Sequence, residues 1–145
     1  MNLYAESSAV LSWLFGEARG IVVRNQLRRA ESVVSSDLTL VECDRVIIRA
    51  RALDEITESK AQHCRSRLTE ASNHWYILKV GTEIVERARL PFPHEPIRTL
   101  DALHIASALI ARTAIPDLAL LTLDERIRTA SKELGFKILP LYKNE

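Results

Sequence analysis

Short apolar runs alternate with longer stretches of helical periodicity along the whole chain, and this alternation restricts the fold more than any other feature. Leu3 to Ala5, Ser32 to Ser35, Trp75 to Leu78, Leu118 to Leu121 and Lys137 to Leu139 read as strands. Between them, Ala9 to Phe15, Ala18 to Ala30, Thr39 to Leu53, Thr57 to Ser72, Thr82 to Arg89, Thr99 to Arg112 and Asp124 to Leu134 read as helices, the last closed by Gly135. Ile21, Val22, Val23 and Leu27 are expected on the apolar side of the second helix, and Trp75 and Tyr76 as strand core. Strands separated by helices predict an α/β fold, a parallel sheet flanked by helices on both faces. With only 4 Gly and 5 Pro in 145 residues, the chain has too few turn formers for an all-β sandwich. No repeat or linker interrupts the pattern, so residues 1–145 are expected to form a single domain.

Composition narrows the function classes. Lys and Arg number 20 against 19 acids, a net charge of +1, so bulk charge points to no membrane or nucleic-acid partner. Arg outnumbers Lys 15 to 5, a balance suited to bidentate phosphate or carboxylate contacts. Cys43 and Cys64 lie far apart with no metal-binding spacing. No basic leader or long uncharged apolar run occurs, and a cytoplasmic location without membrane contact is expected.

In a parallel sheet, ligands bind beyond the carboxyl ends of the strands. Four acids fall there. Glu6 follows the first strand, Glu42 lies in the first turn after Thr39, Asp101 in the first turn after Thr99, and Asp124 follows the fourth strand. Thr39 to Glu42 also fits a capping box, as does Thr122 to Glu125, and either pattern explains its acid without any ligand. Asp101 resists that explanation, because Leu100 to Ala111 is apolar around nearly its whole circumference and an uncompensated carboxylate there is costly. Glu6 is equally misplaced between a strand and an apolar helix. Buried acids without a basic partner indicate a metal, and carboxylates without clustered Cys or His select hard cations, Mg²⁺ or Mn²⁺. Metal-assisted phosphodiester hydrolysis is the chemistry such a site suits.

The segments that carry these acids resemble the motifs of PIN-domain nucleases. Tyr4-Ala5-Glu6-Ser7-Ser8-Ala9-Val10 resembles the opening motif, Leu38 to Glu42 the second, Arg98 to Ala106 the third and Leu121 to Arg126 the fourth. Length and layout resemble VapC-type toxins of toxin–antitoxin pairs. The resemblance implies a PIN-like three-layer fold and an Mg²⁺-dependent endoribonuclease acting on RNA, dimeric and inhibited by a cognate antitoxin. It implies Glu6, Glu42, Asp101 and Asp124 as the catalytic acids, with Glu6, Asp101 and Asp124 on the metal and Ser7 and Thr122 in support. The first motif departs from the family pattern, which has Asp where this chain has Glu6. That departure leaves open a second reading, an impaired protein of the same fold that serves as an antitoxin- or RNA-binding partner. A phospho-acceptor receiver domain, also doubly wound, is a third.

Three more residues lie near the third motif. Arg98 and Arg112 flank it and are placed for RNA phosphate or antitoxin contact. His104, three residues after Asp101, reads either as a packed, hydrogen-bonded core residue or as a group supporting the acids or touching RNA.

Overall fold

A computed structural model describes residues 1–143. The elements in chain order are β1 (Asn2–Ala5), α1 (Ser7–Leu14), α2 (Gly20–Arg29), β2 (Ser32–Ser36), α3 (Asp37–Ala52), α4 (Glu58–Ser72), β3 (Tyr76–Leu78), α5 (Thr82–Ala88), α6 (Thr99–Ala114), β4 (Ala119–Leu121), α7 (Glu125–Glu133) and β5 (Ile138–Leu139). The strands form one parallel sheet in the order β3-β2-β1-β4-β5. A receiver domain orders its strands 2-1-3-4-5, so that reading is excluded.

Alternate residues of each strand face opposite layers, and the two layers hold different helices. Tyr4, Val34, Leu120 and Ile138 pack on the side of α5, α6 and α7, with Phe92, Ala102, Ile105 and Ala106. Ala5 and Val33 pack with Val10, Leu14, Cys43 and Ile47 beneath α1, α3 and α4, while Leu3 and Leu121 meet Val23 of α2. The small side chains Ala102, Ala106 and Ala108 let α6 lie close on the sheet, which buries most of its circumference as its composition requires.

Three local expectations need correction. The apolar side of α2 is Gly20, Val23 and Leu27, spaced by three and four residues, and Ile21 and Val22 point to solvent at 67% and 46% exposure. Gly20 is required where α2 meets α1, since a Cβ there would stand 2.3 Å from the Ser12 carbonyl oxygen. Tyr76 is not core; it lies on the edge strand and is exposed. Finally, α3 starts at Asp37 with Ser36 as its cap, so Thr39 and Glu42 form no capping box and Glu42 sits beyond the first turn. A strand-ending serine caps the helix directly, and this releases the Glu42 side chain for other partners.

The chain leaves β1 toward β2 and β3, then crosses back to β4. Strand order therefore reverses between β1 and β4, and a crevice opens beyond their carboxyl ends. Glu6 leaves β1 there, and Thr122 leaves β4.

Candidate active site

Glu6 is 3% exposed and pairs with no Lys or Arg among the described residues, yet its charge is compensated. Its Oε1 accepts the Ser7 hydroxyl at 2.8 Å. Its Oε2 accepts the Ser8 amide at 3.1 Å, the Thr122 hydroxyl at 2.7 Å and the Ser8 hydroxyl. Each of the last two hydroxyls in turn accepts a backbone amide of the β4–α7 loop, Ser8 from Leu123 at 2.9 Å and Thr122 from Asp124 at 3.1 Å. Two hydroxyls thus relay the donors of one loop to the carboxylate of another. Hydrogen bonds to an ionised acceptor are the strong kind, and they account for a buried carboxylate without a base. Hydroxyls and an amide thus supply what the sequence, read for basic partners alone, does not show for Glu6.

Glu42 reaches the same place from α3. The Ser7 hydroxyl approaches its Oε2 at 3.2 Å, and His104 Nε2 hydrogen-bonds its Oε1. His104 lies 3.9 Å from Glu6 Oε1, so one imidazole stands between two carboxylates. Burial alone would lower the His104 pKa; the Glu42 hydrogen bond and the charges of Glu6, Glu42 and Asp101 outweigh it, and the net direction is upward.

Asp101 and Asp124 are differently placed. Asp124 caps α7, its Oδ1 accepting the amides of Arg126 at 2.9 Å and Ile127 at 3.1 Å, while Oδ2 takes no hydrogen bond among the described residues. Asp101, in the first turn of α6, has neither a hydrogen bond nor an ion pair among the described residues. Its pKa is raised by desolvation first, then by the charges of Asp124 and Glu6, against a smaller downward pull from His104 and Arg126. Beside it lies a cavity of about 250 Å³ whose walls include Pro96, Ile97, Asp101 and Arg126.

All four sequence-identified acids therefore share the carboxyl edge of β1 and β4, linked by hydroxyls or by charge. The two flanking arginines lie at opposite ends of α6. Arg98 is exposed at the start of α6. Arg112 lies in the last turn of that helix, where it donates to the Leu134 carbonyl at 3.0 Å and stacks on Phe136. Eleven residues of helix separate it from Asp101, about 16 Å, so a phosphate or antitoxin contact there would lie away from the acids. His104, 2% exposed, is too buried to touch RNA or antitoxin; it is packed and hydrogen-bonded, and its partner is the acid Glu42.

Two contributors have weak sequence signals. Ser8 follows the acid of the first motif at cap spacing, a pattern that marks a helix start. Arg128, 4% exposed, holds the carbonyls of Thr122 at 2.9 Å and Pro140 at 3.0 Å and so fixes the loop after β4. Those two carbonyls are backbone atoms, which leave no trace in side-chain spacing.

The donor set fits a hard divalent cation: it offers carboxylate oxygens, including the free oxygens of Asp101 and Asp124, while burial and the charges of Glu6 and Glu42 keep the neighbouring Cys43 a protonated thiol. Desolvated, mutually repelling Asp101 is the group that such an ion would relieve. Among the described residues no three His, Cys, Asp or Glu side chains stand close enough to enclose a cation alone. That arrangement suits Mg²⁺, which keeps several waters and is usually held by one or two carboxylates together with substrate phosphate.

Comparison with known proteins agrees with this geometry. Residues 3–133 match the PIN domain family. The chain is 30% identical over 137 residues to Ribonuclease VapC46 of Mycobacterium tuberculosis, covering 94% of this chain and 95% of that protein. Among solved structures, VapC20 of Mycobacterium tuberculosis, described as a sarcin–ricin loop cleaving toxin, superposes with a TM-score of 0.63 at 15% identity, covering 88% of this chain and 94% of that one. A toxin–antitoxin complex from Klebsiella pneumoniae gives 0.62 at 20% identity, covering 98% of each chain.

Proposed function

We propose the following chemistry for a chain that belongs to the PIN-domain family and, within it, to the VapC-type ribonuclease toxins. It is an endoribonuclease that hydrolyses RNA phosphodiester bonds at the Glu6, Glu42, Asp101 and Asp124 cluster, with Mg²⁺, or Mn²⁺ in its place, as the metal. The observation that carries this reading is Asp101, a partly desolvated carboxylate with no hydrogen-bond or ion-pair partner among the described residues, repelled by the charges of Asp124 and Glu6.

Asp101 and the free Oδ2 of Asp124 would hold the ion, with the charge of Glu6 beside them. When bound, the cation supplies an activated water and charge compensation at the phosphate. Ser7, Ser8 and Thr122 hold Glu6 in place. Glu42, with its side chain 27% exposed, lies open enough to accept a hydrogen bond from water or a ribose hydroxyl. Arg98 and Arg126, both exposed near Asp101, are placed to meet RNA phosphates.

As a toxin the chain works with a cognate antitoxin, in line with the toxin–antitoxin complexes that share its fold. We assign it to a single domain and a homodimer; light scattering at micromolar concentration should give twice the 16.4 kDa chain mass. Among the described residues no helix is long and apolar enough to cross a membrane, and we place the chain in the cytoplasm.

Incubating the purified chain and Glu6→Asp with single-stranded RNA tests the activity. The wild type should cleave with Mg²⁺ and stop on chelation. Cleavage by Glu6→Asp alone would assign the impaired-partner reading instead, and silence of both would overturn the ribonuclease assignment.

A further inference from the structure

We propose that His104 is a positioning residue of the cleavage reaction, acting through Glu42; the proposal rests on the ribonuclease reading above. Glu42 projects from a helix whose neighbouring side chains Val41, Asp44 and Arg45 are exposed. A glutamate at such a position ordinarily samples several rotamers. Here it is held from both sides, Oε1 by His104 Nε2 and Oε2 by the Ser7 hydroxyl. One helix, α6, carries both Asp101 and, one turn on, the group that pins Glu42, so its placement fixes the spacing between those two acids.

A purely structural role accounts poorly for this histidine. It is 2% exposed among Ala102, Ile105, Ala106 and Ala108, where an aliphatic residue would pack without desolvation cost. Its Nδ1 is buried and has no hydrogen-bond partner among the described residues. A histidine retained for stability would have both ring nitrogens satisfied. The bond to Glu42 is the one polar interaction that explains its presence, and Glu6 at 3.9 Å adds a second carboxylate to the same nitrogen.

The test compares His104→Leu, His104→Gln and Glu42→Ala, with the double variant His104→Leu/Glu42→Ala, in RNA cleavage with Mg²⁺. Thermal melting of each, and nitrogen-15 imidazole spectra of the wild type and Glu42→Ala, complete it. Loss of a group that orients a site residue costs about 10- to 100-fold. His104→Leu should therefore lower kcat by that factor with KM within about threefold and stay folded. His104→Gln, whose amide still reaches Glu42, should recover most of the loss. The double variant should cleave no more slowly than Glu42→Ala alone, because the two act as a unit. In the wild type the Nε2 proton should exchange slowly and resonate far downfield, and Glu42→Ala should abolish that signal. The proposal is overturned if His104→Leu keeps the wild-type kcat, if the double variant multiplies the two losses, or if the resonance survives Glu42→Ala. Should the wild type fail to cleave RNA, the ribonuclease reading fails, and with it the catalytic role of His104; the resonance would then still report whether His104 holds Glu42.

Discussion

The two halves of the acidic cluster are built differently. Around Glu6 and Glu42 the carboxylates are occupied by hydroxyls, an amide and an imidazole, while Asp101 and one oxygen of Asp124 have no partner among the described residues. Glu6 is the more buried of the two sides, yet its charge is compensated within the protein. Asp101, only half-buried, has its pKa pushed up because desolvation and two neighbouring carboxylates act on it with little to offset them. Burial alone therefore does not mark the group that needs a cation. Unsatisfied burial does, and by that criterion the Asp101–Asp124 side is the ligand face and the Glu6–Glu42 side its framework.

This division predicts opposite behaviour from substitutions on the two sides. The largest effect should come from Asp101→Asn, which should lower Mg²⁺-dependent cleavage at least about a hundredfold, the rate equivalent of about 2.7 kcal/mol. A variant that cleaves RNA as fast as the wild type would remove Asp101 from the ligand face. On the framework side, Thr122→Val takes a donor from Glu6 and an acceptor from the Asp124 amide. Urea unfolding should show a loss of about 1–3 kcal/mol, and a loss below about 0.5 kcal/mol would show that the hydroxyl relay carries little stability.

A smaller effect concerns pH. Because the Asp101 pKa is raised above its ordinary value of 3.8, the folded state disfavours the ionised form. Ionised Asp101 therefore costs stability at neutral pH in the metal-free protein, and the cost fades as the pH falls through the raised pKa toward 3.8. Asp101→Asn should be more stable than the wild type at pH 7 without metal, by up to about 1 kcal/mol for a half-exposed charge. The two should converge below about pH 4. A mutant less stable at neutral pH would mean that Asp101 has structural partners after all.

Much of this was legible before any coordinates. Short apolar runs set between stretches of helical period located every strand and helix, because the strands inside the edge strand β3 are buried on both faces and the helices must cover them. The four acids stood out because they follow strands or open helices. What could not be read were partnerships between residues far apart in the chain: Thr122 reaches Glu6 across 116 residues, and His104 reaches Glu42 across 62. The supposed capping box at Thr39 failed for a local reason, since Ser36 both ends β2 and caps α3. Ile21 and Val22 failed as core because adjacent apolar residues on a helix cannot all face one side.

The division into framework and ligand face is tested most directly by thermal melting with and without Mn²⁺, in the absence of RNA, for the wild type and Asp101→Asn. A ligand that binds only the folded state raises its melting temperature by an amount set by affinity and concentration. The account predicts that Mn²⁺ at millimolar concentration raises the melting temperature of the wild type and leaves that of Asp101→Asn unchanged. An equal rise in both would contradict it.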